Sequence, residues 1–91
     1  MKTLPDAVTL YKNTAEFTEH TVPAALQRHH NTAAGVWGRI TILEGTLMYH
    51  IAEPEKESIL LTPEQPGIVE PRMLHEVEVV GPVRFRVDFH R

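Results

Sequence analysis

Apolar and polar positions alternate along this chain in short stretches, and no stretch sustains a helical period. Val8–Tyr11 reads as a first short strand, and Thr14–Phe17 as a strand or a single helical turn capped by Thr14. Pro23 opens a strand over Ala24–His29, and Asn31–Gly35 is a loop. Val36–Leu43 is rich in β-branched and aromatic residues and is the strongest strand. Glu44-Gly45-Thr46 turns the chain, and Leu47–Ile51 returns as its predicted hairpin partner. Glu53–Glu57 is a charged, solvated loop; Ser58–Thr62 is a strand; Pro63–Gly67 is a turn. Ile68–Glu70, His75–Val80 and Val83–Phe89 complete the series, with Pro71 and Gly81-Pro82 as punctuation. Short strands at this spacing predict an all-β sandwich or barrel, closed or double-sheeted so that edges are not left open.

Alternation also assigns faces. His75, Val77 and Val79 share one side of their strand, against Glu76, Glu78 and Val80. The first side is apolar and should face inward, which sets an imidazole at the head of a buried face. Buried polar groups need a partner, so His75 must find a hydrogen bond or a metal there. In the last strand Val83, Phe85, Val87 and Phe89 form an apolar face opposite Arg84, Arg86, Asp88 and His90. The long strand divides into Gly38, Ile40, Ile42, Glu44 and Trp37, Arg39, Thr41, Leu43.

Composition narrows the chemistry. The 91 residues make one domain, 1–91, small enough that dimerisation or a bound metal would help its stability. Net charge is −3, so nothing favours a nucleic-acid partner. Cysteine is absent, which removes disulfides, thiolate nucleophiles and Cys-type zinc sites. No apolar run approaches a membrane span, and the first residues lack a secretory apolar segment, so the expected location is cytoplasmic.

Six histidines are the chemical signal. Neutral imidazole is a common metal ligand, and His30 and His75 are the candidates for one divalent metal, with His29, Glu44 and Asp88 as weaker ones. Zn, Fe, Ni and Mn suit such ligands about equally. The alternative is a satisfied core histidine at His75 and a loop-edge histidine at His30. Trp37 and Arg39, with Tyr49 or His50 across the hairpin, could grip a small anion; packing for Trp37 and a surface role for Arg39 is the competing view. Asp88 beside Arg84 and Arg86 reads as a surface charge pattern or as a group orienting a ligand histidine.

The stretch from Pro23 through His29-His30, Trp37-Gly38-Arg39 and Leu43-Glu44-Gly45 resembles a small cupin-like family, that of the TehB N-terminal domain and YeaR. Gly67–Pro71, Leu74–Val77 and Phe85–Phe89 resemble its second half. The resemblance runs from about Tyr11 to Arg91. It implies a double-stranded β-helix, or jelly roll, holding one divalent metal between its sheets, and a link to tellurite resistance and stress. It maps His30 and His75 onto the leading histidines of the two cupin motifs. Two positions depart: Thr32 stands where the first motif has its second histidine, and the usual carboxylate falls near Gly38. Three functions follow as expectations: a metal-binding cupin for a small molecule or oxyanion, a non-catalytic anion-binding or sensor module, or a structural homodimer without metal.

Overall fold

The computed structural model describes residues 1–91. Two antiparallel sheets pack face to face in a jelly-roll arrangement. The strands are β1 (Leu10–Asn13), β2 (Phe17–Thr18), β3 (His30–Asn31), β4 (Trp37–Gly45), β5 (Leu47–Glu53), β6 (Glu57–Leu61), β7 (Gly67–Val69), β8 (Leu74–Glu78) and β9 (Val83–His90). One sheet runs β1-β9-β4-β7, with β2 also paired to β9; the other runs β3-β8-β5-β6. The inner faces follow the alternation in the sequence. Ile40, Ile42, Phe85 and Val87 from the first sheet meet Leu47, Tyr49, Ile51 and Val77 from the second. Tyr49, Phe85, Leu47 and Leu61 are fully buried, and burying each such side chain contributes about 1.5–3 kcal/mol. No helix is long and apolar enough to cross a membrane.

Two expectations fail, each for a physical reason. Leu47–Ile51 is not a hairpin partner of the long strand. β4 pairs with β9 and β7, whereas β5 pairs with β6 and β8, so the chain changes sheets at the turn between them. Gly45 makes the change possible. Its φ is +79°, and a Cβ there would stand 2.1 Å from the Pro82 carbonyl oxygen, so a side chain is excluded both by conformation and by space. The segment read as a strand over Ala24–His29 instead winds into a 3-10 turn at Ala24–Gln27. Ala-Ala-Leu-Gln contains no β-branched residue and consists of good helix formers, and the Leu26 amide donates to the Pro23 carbonyl at 3.0 Å. That turn packs its Leu26 side chain against the core and delivers the chain to β3.

Candidate functional site

β3 is only two residues long, but its register decides the site. His30 pairs directly with His75 of β8. The two imidazole rings lie 4.0 Å apart, centroid to centroid, tilted by 55°. His75 is 5% exposed, and the ring of Tyr49 meets it edge-on at 6.0 Å. Each histidine makes one backbone hydrogen bond. His75 Nδ1 donates to the Met73 carbonyl at 2.9 Å, and His30 Nδ1 donates to the Arg28 carbonyl at 2.9 Å. A carbonyl can only accept, so Nδ1 carries a proton in both rings, and in the neutral form of either ring Nε2 is a bare lone pair. Burial holds the His75 imidazole down at about 4, against an ordinary 6.5; the bond to Met73 opposes this and the neighbouring His30 adds to it. His75 is therefore neutral near pH 7.

The rings form part of the wall of a cavity of about 400 Å³ between the sheets. Twelve of its 20 lining residues are hydrophobic, among them Leu26, Ile40, Phe85 and Phe89. Exposed lining residues, Tyr11, Lys12 and Ala33, mark its mouth. Thr32 also lines this space, and its hydroxyl is buried with no hydrogen-bond partner in the protein. Thr32 is thus more than the place of an absent ligand. The signal that could have found it is period-two alternation from His30, which puts Thr32 on the same face.

The other candidate residues lie elsewhere. Tyr49 faces inward, but its hydroxyl is already committed, donating to the Ile68 carbonyl at 2.9 Å and contacting Met73 Sδ at 3.1 Å. Burial, with help from Glu70 and Glu57, pushes its phenol well above the usual range. Trp37 and Arg39 alternate with the inward-facing Gly38 and Ile40, so they sit on the outer face of the first sheet and do not line the cavity. His50 lies on the outer face of the second sheet, between Ser58 Oγ at 2.7 Å and Glu78 at 2.8 Å. His29 pairs with Glu76 at 2.7 Å. Glu44 sits at the β4 turn, where Arg84 donates to it at 2.7 Å. Arg84 also donates to Glu16, and the two carboxylates raise its pKa.

Asp88 is buried although it belongs to an outward face. It accepts from Asn13 Nδ2 at 2.7 Å and Arg86 Nε at 3.1 Å, with Thr41 Oγ1 at 3.4 Å. β1 covers it: Asn13 is its register partner across the edge. It thus fastens β1 to β9 and is not directed at either histidine.

These positions test the metal centre that the family resemblance implies. Structural zinc sites take about four ligands, and catalytic ones about three plus water. The structure brings together two imidazoles. No group of three or more His, Cys, Asp or Glu side chains is placed to hold a metal ion. Thr32 offers a hydroxyl where a second imidazole would stand, and Gly38 offers no side chain. The residues present do not fit a complete cupin metal centre.

Comparison with known proteins agrees with the fold. A crystal structure of an Escherichia coli K12 protein superposes with a TM-score of 0.88 at 22% identity, covering 100% of this chain and 97% of that one. The crystal structure of TehB from Haemophilus influenzae superposes with a TM-score of 0.85 at 28% identity, covering 93% of this chain and 32% of that one. Two Haemophilus influenzae proteins named probable S-adenosyl-L-methionine-dependent methyltransferase TehB are 34% and 31% identical over 75 residues. That match takes in 78% of this chain and 26% of each relative, so the chain spans about a quarter of their length. The TehB-like domain profile matches residues 12–87. With most of its length matched, the chain belongs to the TehB-like domain family.

Proposed function

We propose that this domain is a small-molecule-binding module whose ligand enters the space between the sheets and meets His30 and His75 at its polar end. The observation that carries this reading is that His30 and His75, each with its Nδ1 held by a backbone carbonyl, stand together in the wall of a mostly apolar cavity. Pockets that bind small molecules are of this kind: mostly apolar, with a few placed polar groups that fix orientation. The cavity volume falls within the range usual for them, about 300–1,000 Å³.

The methyltransferase name belongs to relatives of which this chain matches about a quarter. We assign binding, not methyl transfer, to this domain; a link to tellurite resistance or stress would then run through what the cavity holds. The neighbouring rings give the site no nucleophile and no pair of carboxylates, so a binding role needs the fewest additions.

The test is a fragment titration followed by NMR. Ligands should shift signals of Val77, Phe85, Ile40 and the two histidines, and leave Trp37, Arg39 and His50 unmoved. Arg39→Ala should change affinity by less than about twofold, since rim and surface charges outside a site contribute little. Shifts confined to the outer faces would overturn the reading. Stoichiometric Zn²⁺ or Ni²⁺ uptake that His30→Ala abolishes would replace it with a metal centre completed by outside ligands.

A further inference from the structure

We propose that the cavity takes an uncharged phenol-type molecule, an aromatic ring bearing a hydroxyl, and turns oxyanions away. This inference rests on the binding role proposed above and names the class of ligand. Three observations lead to it.

First, the two histidines offer acceptors only. Both Nδ1–H groups are engaged by backbone carbonyls, so what faces a ligand is a pair of lone pairs. A hydroxyl proton satisfies such a lone pair. A carboxylate, which has only acceptors, meets repulsion there. Taking an unpaired anion out of water into an apolar cavity adds a large desolvation penalty. The cations near the mouth do not relieve it. Lys12 is exposed on the edge strand β1 at that mouth, and the Arg91 guanidinium is stacked 4.0 Å over the ring of Tyr11 there.

Second, the Thr32 hydroxyl is buried without a partner. An orphaned buried hydroxyl is unfavourable unless something satisfies it. A phenolic oxygen can do so while giving its proton to an imidazole, because a hydroxyl donates once and still accepts. His30 and Thr32 are two residues apart and both line the cavity, so the proposal gives one ligand oxygen to both.

Third, the apolar wall includes three phenylalanine rings. Phe17, Phe85 and Phe89 all line the cavity, and Phe17 and Phe85 already meet at 5.6 Å with their rings tilted by 58°. Aromatic rings favour such tilted contacts over simple stacking, and a ligand ring extends the cluster.

The experiment compares five probes by calorimetry with the full chain at pH 7.5: p-cresol, p-methylanisole and p-toluate, which are of similar size, and the inorganic oxyanions phosphate and tellurite. p-Cresol should bind. p-Methylanisole keeps the ring and the acceptor but loses the donor, and should bind at least about tenfold more weakly, as expected when a buried acceptor is left unmet. p-Toluate, phosphate and tellurite should not bind in the cavity. His30→Leu and Thr32→Val should each weaken p-cresol while leaving the melting transition cooperative; Thr32→Val keeps the side-chain shape if His30→Leu does not fold. Equal binding of cresol and methylanisole, or binding of toluate or tellurite as tight as cresol, overturns the ligand class and leaves the cavity role standing. Binding of none of the probes overturns both.

Discussion

Replacing His75 with glutamine removes one titrating group from the core and keeps a polar side chain there. In the folded protein the His75 imidazole is held at about 4 by burial, whereas an unfolded chain protonates it near 6.5. The unfolded state therefore binds the proton more readily. The stability that neutral His75 contributes is complete above pH 6.5, falls as the pH drops below that value, and is gone once the pH passes below about 4. At about 1.4 kcal/mol for each pKa unit, the full loss is about 3 kcal/mol, of which about 1.4 kcal/mol is gone by pH 5.5. A differential assay isolates this group from the rest of the chain. Urea unfolding of wild type and His75→Gln is measured at pH 7.5, 6.5, 5.5 and 4.5. The stability of wild type relative to the variant should fall by about 2.5 kcal/mol across the series, most steeply below pH 6.5. A difference independent of pH would refute the argument. It would mean that His75 is solvated, or that it is protonated in the fold through a contact with His30.

Two further substitutions probe the scaffold. Tyr49→Phe leaves the buried Ile68 carbonyl without its hydroxyl donor and should lower unfolding free energy by about 1–2 kcal/mol, read by urea denaturation at neutral pH; an unchanged midpoint would show that the bond contributes nothing. Gly45→Ala forces a Cβ against the Pro82 carbonyl at a positive φ and should destabilise by more than about 2 kcal/mol, lowering the melting temperature by roughly 10 °C or more. A variant as stable as wild type would mean that the crossing between sheets does not depend on this residue.

Much of the fold is legible in the residues because period-two alternation is a local signal. Val83, Phe85 and Val87 declare their buried face, and His75 and Val77 declare theirs. What the alternation does not carry is partnership. β4 and β5 each show one apolar face, and nothing within either says that the faces belong to opposite sheets; that follows from Gly45 and from long-range pairing with β9 and β8. The same limit explains the candidate site. Tyr49 falls beside Trp37 only if β4 and β5 form a hairpin, whereas its place between Leu47 and Ile51 marks it as inward. Asp88 looks like a surface charge in its strand and is buried because β1, from the far end of the chain, lies over it. The residues of the Ala24–Gln27 turn favour a helical turn over the strand expected after Pro23. His30 and His75 could be named from the sequence as a pair, but their tautomers could not, because these depend on the Arg28 and Met73 carbonyls.

The central claim is that His30 and His75 present two bare Nε2 atoms to one shared space. Long-range ¹H–¹⁵N spectra of the histidine side chains at pH 7.5 read this directly. The account predicts that both rings are neutral and protonated at Nδ1, and that both Nε2 signals move together when p-cresol is added. A proton on Nε2 of either ring, or Nε2 signals indifferent to every ligand that binds, would contradict it.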